Sequence, residues 1–296
     1  MNKEEQKYVD LHVHTIYSDG SFSPKEIIKY CKKLNIAAVS ITDHDITDGI
    51  KEAIEEGKKE GIEVIPGVEL SAEYEESSEG EVHILGYYID FEDKVLQQKL
   101  ELFRKARQER AYKIIEKLKS LNIFVDEKEI FKNKNSNHSI GRLHFARYMV
   151  EKKITASIKE AFDLYLGYNK PAYVPKVKLK PQEAISMILH SKGIPVLAHP
   201  YYGIYIDSKT IKKFVRYGIK GIEVYHSKHH KNVIEELTNL AEKFGLLITG
   251  GSDCHGTIDG NTLLLGSMKL PYSILESLKK YKEKLDNNKQ LYLTNN

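Results

Sequence analysis

Residues 8–20 read YVDLHVHTIYSDG. Val9, Leu11 and Val13 alternate with Asp10, His12 and His14, the period-2 pattern of a β-strand. On a helix, residues two apart point about 200° away from each other; on a strand they share a face, close enough to chelate one ion. A single His-x-His also describes two partly exposed histidines at a strand end. The remainder of the chain has to decide between them.

Working outward, apolar β-branched runs recur as IAAVSIT (36–42), IEVIPGVEL (62–70), EVHILGYYI (81–89), IPVLAHP (194–200), GIEVY (221–225) and LLITGGS (246–252). Helical spacing fills many of the gaps. In SPKEIIKYCKKLN (23–35) the apolar positions are Ile27, Ile28, Cys31 and Leu34, behind a capping-box start at Ser23, Pro24 and Glu26. DGIKEAIEEGKKEG (48–61) ends on Gly61, and PQEAISMILHSKG and HKNVIEELTNLAEKFG each precede a further strand. Strand–helix alternation implies parallel strands with helices outside, and seven strands favour a barrel over an open sheet.

The polar residues sort onto one end of those strands. Asp43, His44 and Asp45 follow VSIT, Glu69 ends VIPGV, His199 ends IPVLA, and Asp253 and His255 follow LLITGGS. In a parallel barrel this is the face that carries the active site. His83 lies within the fourth strand. The resulting set is His12, His14, Asp19, His44, Glu69, His83, His199, Asp253 and His255. Each has a plain structural reading alone: a core histidine, an N-cap, a first-turn acid. Together they point to metal. One ion takes about four ligands, so the set implies two or three ions with bridging. Nitrogen and oxygen donors without a thiolate suit Mn²⁺, Zn²⁺ or Fe; alternation turns Cys254 to the opposite face.

A chain of 296 residues, 41% hydrophobic and 29% charged, can bury a large core as one α/β domain or a domain with an insertion. The N-terminal MNKEEQKYVD is polar and unlike a signal peptide. No apolar run approaches the ~20 residues of a membrane span, and Cys31 and Cys254 make no disulfide framework. A cytoplasmic protein that engages no membrane is expected.

The motif order H-x-H, Asp, T-D-H-D, P-G-x-E, His, A-H-P and G-S-D-x-H resembles the PHP (polymerase and histidinol phosphatase) family. RQERAYKIIEKL, IGRLHFARYMV, PAYVP and GIEVYHSKHH resemble its subgroup of 3′,5′-nucleoside bisphosphate phosphatases and 5′–3′ exoribonucleases of short RNA. The resemblance implies a distorted (β/α)₇ barrel with a trinuclear metal centre. It also implies that His12, His14, Glu69 and Asp253 hold one ion, Glu69, His83 and His199 a second, and Asp19, His44 and His255 a third, with Mn²⁺ first among the candidate metals.

Residues 98–180 break the strand–helix pattern. The run LQQKLELFRKARQERAYKIIEKLKSL carries a helical apolar stripe, KNKNSNHS (132–139) is a loop, and GRLHFARYMVEKK and SIKEAFDLYLG are helical. Residues 1–97 and 181–296 are expected to form the barrel, and 98–180 a helical insertion over its C-terminal mouth. The insertion holds 20 Lys and Arg against 9 Asp and Glu, a surplus of 11; the rest has 25 against 33, a deficit of 8. Such asymmetry suggests an anionic ligand, and arginine suits phosphate through paired hydrogen bonds. Arg142, which also matches a family position, and Arg107, Arg110 and His144 are the candidate substrate contacts.

The function expected is hydrolysis of a nucleotide phosphate ester, a 3′,5′-bisphosphate or a 5′-phosphorylated short RNA, by metal-activated hydroxide without a phosphoenzyme. His226, ending the sixth strand, is the candidate general acid. Histidinol-phosphate phosphatase and a non-catalytic, metal-dependent nucleic-acid-binding module are the alternatives. A net charge of +3 is too small to argue for long nucleic acid.

Overall fold

In the computed structural model, which describes residues 7–74, 80–131, 138–201, 207–258 and 262–294, the alternating opening stretch is β1 (Tyr8–Val13). The other runs become β2 (Ile36–Ile41), β3 (Glu63–Glu73), β4 (Glu81–Tyr87), β5 (Ile194–Leu197), β6 (Gly221–His226) and β7 (Leu247–Gly251). The helices are α1 (Pro24–Lys33), α2 (Gly49–Glu60), α3 (Lys94–Ser120), α4 (Glu127–Phe131), α5 (Arg142–Glu151), α6 (Ile158–Ala161) running into a π-helical turn (Phe162–Leu166), α7 (Pro181–His190), α8 (Ser208–Tyr217), α9 (Lys231–Phe244) and α10 (Ser273–Thr294). Most of the expected loop at 132–139 lies outside the described residues. At α1 the capping box forms: Ser23 Oγ accepts from Glu26 N at 3.3 Å and the Glu26 carboxylate accepts from Ser23 N at 2.8 Å.

These seven strands pair in sequence order into a nearly closed barrel, and a short eighth strand, Leu270–Pro271, pairs antiparallel with β1 at the edge. One expectation is corrected. β1–β2, β2–β3, β5–β6 and β6–β7 are parallel, but β4 is antiparallel to both its neighbours. Only residues 74–80 separate β3 from β4, too short a link for the crossover that a parallel pair needs. β3 is also longer than its apolar run. It pairs with β2 over 63–66 and with β4 over 67–73, so Glu69 sits within the strand rather than ending it. The reversal brings His83, near the start of β4, opposite Ser71 and onto the same mouth as the C-terminal ends of the parallel strands.

The seam of the barrel lies between β1 and the segment after β7. Val13 bridges Cys254 in parallel, and His14 N donates to Cys254 O at 3.0 Å. Buried Asp10 accepts from Ser252 N at 2.9 Å and Gly266 N at 2.8 Å. The approach is close enough to require glycine: a Cβ on Gly251 would lie 2.3 Å from His12 Cβ.

The largest apolar cluster packs the sheet against α1, α2, α7, α8 and α9 through Ile27, Ile28, Ile50, Ile188 and Phe214. A second joins Val9, Leu11, Leu85 and Val196 to Leu275 and Leu278 of α10. A third belongs to the helical segment itself, with Ile114 and Leu118 of α3 on Phe145 and Met149 of α5. Each fully buried aliphatic or aromatic side chain in these clusters contributes about 1.5–3 kcal/mol. The described helices include none long and apolar enough to cross a membrane.

Candidate metal centre

All nine residues singled out from the sequence converge on one mouth. Glu69 is the hub. Its Oε2 lies 3.3 Å from both His12 Nε2 and His14 Nε2 and 2.9 Å from His44 Nδ1; its Oε1 lies 2.8 Å from His83 Nδ1 and 2.9 Å from His199 Nε2. Asp253 Oδ1 is 3.4 Å from His12 Nε2 and 3.1 Å from His14 Nε2, and Asp19 Oδ1 is 3.3 Å from His255 Nε2. The donor atoms form four overlapping groups compact enough for an ion: His14, Asp19, His44 and His255; His12, His14 and Asp253; His12, Glu69 and His199; His44, Glu69 and His83. Cys254 enters none of them, and its thiol contacts the backbone of Gly256.

These atoms suit divalent cations. His12 Nε2, His14 Nε2, Asp19 Oδ1, His44 Nδ1 and Glu69 Oε2 are all buried and close to one another or to a neighbouring ligand candidate, yet none makes a hydrogen bond of good geometry, an arrangement that a cation among them would satisfy. The titration behaviour says the same. Burial pushes the carboxyls of Glu69, Asp19 and Asp253 up, but the surrounding histidines outweigh it and hold all three well below the usual carboxylate range. Burial opposes charge on His14, yet Asp253 and Glu69 raise it to about 10; burial likewise opposes charge on His83, which Glu69 raises to about 9. The carboxylates demand positive charge, which protons or metal ions can supply. Some of the backbone strain in the described residues falls here. His199 (φ 24°), Asp253 (φ 54°) and Asp45 (φ 53°) all lie in the left-handed region.

A ring of supporting residues surrounds the candidate ligands, of which the sequence showed only that Asp43 lies at a strand end. Asp43 accepts from Thr15 N at 2.7 Å, Thr15 Oγ1 at 2.6 Å and Ser18 Oγ, and Ser18 Oγ lies 3.4 Å from His14 Nδ1. Arg147 ties two ligand loops together, donating to Asp19 O at 2.6 Å and His255 O at 2.8 Å. Glu223 lies 2.9 Å from His12 Nδ1. Its one readable signal is a carboxylate inside the apolar run GIEVY.

The candidate substrate contacts gather beside the mouth, each already held. Arg107 pairs with Asp45, and its NH1 lies 3.8 Å from where a Gly141 Cβ would be, with Asp19 Oδ2 at 3.6 Å from the same point. Arg110 donates to Val174 O at 2.7 Å. Arg142 donates to Leu166 O at 3.3 Å, its guanidinium 5.4 Å from the Phe162 ring and 5.5 Å from Tyr173. Burial, and after it the neighbouring guanidiniums of Arg142 and Arg107, bring Arg110 down to about 9. His144 Nδ1 accepts from Gly141 N at 3.0 Å, at the start of α5. His226 is buried; its Nδ1 accepts from Lys228 N at 3.2 Å, which leaves the ring proton on Nε2, 3.3 Å from Asp253 Oδ2.

Known proteins are similar to this chain over most of its length. A family model described as "PHP domain" matches residues 10–189. The chain is 31% identical to a 3′,5′-nucleoside bisphosphate phosphatase of Chromobacterium violaceum, over 85% of this chain and 88% of that protein. It is 33% identical to the 5′-3′ exoribonuclease Rnm of Escherichia coli K12, over 83% of this chain and 84% of that one. A crystal structure from Bifidobacterium adolescentis, described as a metal-dependent phosphoesterase, superposes with a TM-score of 0.84 at 26% identity, covering 92% of this chain and 95% of that one.

Proposed function

Since the chain belongs to the PHP-domain family, we propose that its mouth is the metal centre of a hydrolytic phosphoesterase acting on a nucleotide that carries a second phosphate. His12, His14, Glu69 and Asp253 would hold one ion, Glu69, His83 and His199 a second, and Asp19, His44 and His255 a third; Mn²⁺ is the first candidate. When bound, such ions lower the pKa of a coordinated water and polarise phosphoryl oxygens.

The remaining work falls to the chain's own residues. The observation that carries the substrate reading is the gathering of three arginines beside the proposed ligands: Arg107 next to Asp19 and Gly141, and Arg110 and Arg142 held by the backbone oxygens of Val174 and Leu166; burial first, and then the neighbouring guanidiniums, bring Arg110 down to about 9. Cations held that close are relieved by an anion, and guanidinium matches phosphate oxygens in geometry. The metal centre would take the scissile phosphate and the arginines the other. Histidinol phosphate has no second phosphate to offer them. His226, with its proton on Nε2 facing Asp253, is the proposed donor to the leaving oxygen. The similarity to an exoribonuclease favours a second form of the same substrate, a short RNA whose 5′ end supplies the phosphates.

The deciding measurement is a panel with Mn²⁺-loaded protein: adenosine 3′,5′-bisphosphate, AMP, a 5′-phosphorylated trinucleotide and histidinol phosphate. A clear kcat/KM advantage for the bisphosphate or the trinucleotide is expected. A preference for histidinol phosphate or AMP would defeat the second-phosphate reading.

A further inference from the structure

We propose that Glu223 is a positioning residue that builds one end of the metal centre by fixing two of its ligands at once; the inference rests on the metal reading above. Glu223 lies on β6, is fully buried, and uses each carboxylate oxygen differently. Oε1 takes the Nδ1–H of His12 at 2.9 Å. Oε2 takes the backbone N–H of His199 at 2.8 Å.

The first contact fixes a ring. With Nδ1 committed as donor, the lone pair of His12 Nε2 faces Glu69 and Asp253, 3.3 and 3.4 Å away. The second fixes a backbone. His199 sits at φ 24°, where a β-substituted residue does not rest unaided, and the carboxylate anchors its N–H there while the ring reaches Glu69 at 2.9 Å. Glu223 itself joins none of the ion-sized groups among the described residues. Its oxygens are spent on the side of His12 that faces away from the other ligands. Partners of this kind hold a ligand's orientation and raise its basicity. Here one carboxylate serves β1 and the end of β5 together, so the ions at His12 and His199 should depend on it jointly. Those at Asp19, His44 and His255 should not.

Glu223→Gln isolates the effect. The amide has nearly the same shape but offers one acceptor oxygen, whereas the site presents two donors. Either His12 Nδ1–H or His199 N–H must then face an NH₂ group.

The experiment titrates metal-depleted wild type and Glu223→Gln with Mn²⁺ against a chelating fluorophore, with bound ions counted by elemental analysis. The expected result is a split. Part of the ions in the variant bind about 10–100-fold more weakly, the rest bind as in wild type, and excess Mn²⁺ restores kcat with substrate KM unchanged. A purely structural lesion would weaken every ion alike, and that outcome overturns the inference, as does unchanged affinity. If the wild type itself binds no metal, the functional reading falls and this one with it. Should the variant fail to fold, the Zn²⁺-loaded wild type decides. Nitrogen-edited NMR should show a slowly exchanging Nδ1–H on His12, assigned by its loss in His12→Asn, and its absence overturns the inference.

Discussion

Glu69 concentrates the chemistry of the mouth in one side chain, because five histidines point at its two oxygens. Glu69→Ala should therefore abolish activity and lower bound metal together; elemental analysis at saturating Mn²⁺ that finds wild-type stoichiometry would contradict the hub. As a proposed phosphate contact, Arg142 should act on binding alone. Arg142→Ala should raise KM for a bisphosphate by an amount equivalent to about 1.5–3 kcal/mol, the worth of a charge-assisted contact, with metal content unchanged; steady-state kinetics beside metal analysis checks both halves. Asp45 gives a stability test. Burial pushes its carboxyl up, but Arg107 and Lys176 outweigh that and hold it below its ordinary value of 3.8. Its ionised form thus stabilises the fold above that pH, and the stabilisation is lost as pH falls through the lower folded-state value. Asp45→Asn breaks a buried pair and should cost about 3–5 kcal/mol at neutral pH. The gap to wild type should narrow in urea unfolding below pH 4, and a gap that stays constant with pH would count against the pair. The residues facing the mouth were legible because polar groups at strand ends stand out against apolar runs. The supporting role of Asp43, and Glu223 altogether, were not, since a supporting side chain is defined by which group it touches, and that partner lies far away in sequence.

At the scale of elements, the seven strands could be read from β-branched runs and the helices from their 3.6-residue spacing and caps. The direction of β4 could not be read from its composition, which resembles that of its parallel neighbours; the short 74–80 link was the available clue. That reversal explains how His83, near the beginning of its strand, meets the candidate ligands at the ends of others. The seam between β1 and β7 is the other feature hidden from periodicity. It depends on Gly251, where any side chain would collide with His12. Gly251→Ala should destabilise the fold by about 1–3 kcal/mol through overpacking and also weaken metal binding, because the displaced residue is a proposed ligand. Thermal melts with a Mn²⁺ titration test the pair of effects. Lost stability with unaltered metal affinity would mean that the strain relaxes away from β1.

For the whole molecule, the mouth gathers buried donor atoms that make no hydrogen bond of good geometry, so metal binding should be felt as stability. An ion held at 100 times its dissociation constant adds about 2.7 kcal/mol per independent site; Mn²⁺ should raise the melting temperature and a chelator should reverse the rise. A metal-independent transition would argue against binding at this cluster. The seam adds a consequence in time. Asp10 and Ser252, which bond across it, are separated by 242 positions, and the His-x-His pair waits on one side for Asp253 and His255 on the other. Contacts so distant in sequence form late, after the loop entropy between them has been overcome. A chain emerging from the ribosome thus carries its first proposed ligands without the partners that complete the set until residues 253 and 255 follow. Enzymatic competence should appear abruptly, with the release of the last strand, and translation products arrested before residue 247 should fail to hold the full complement of ions.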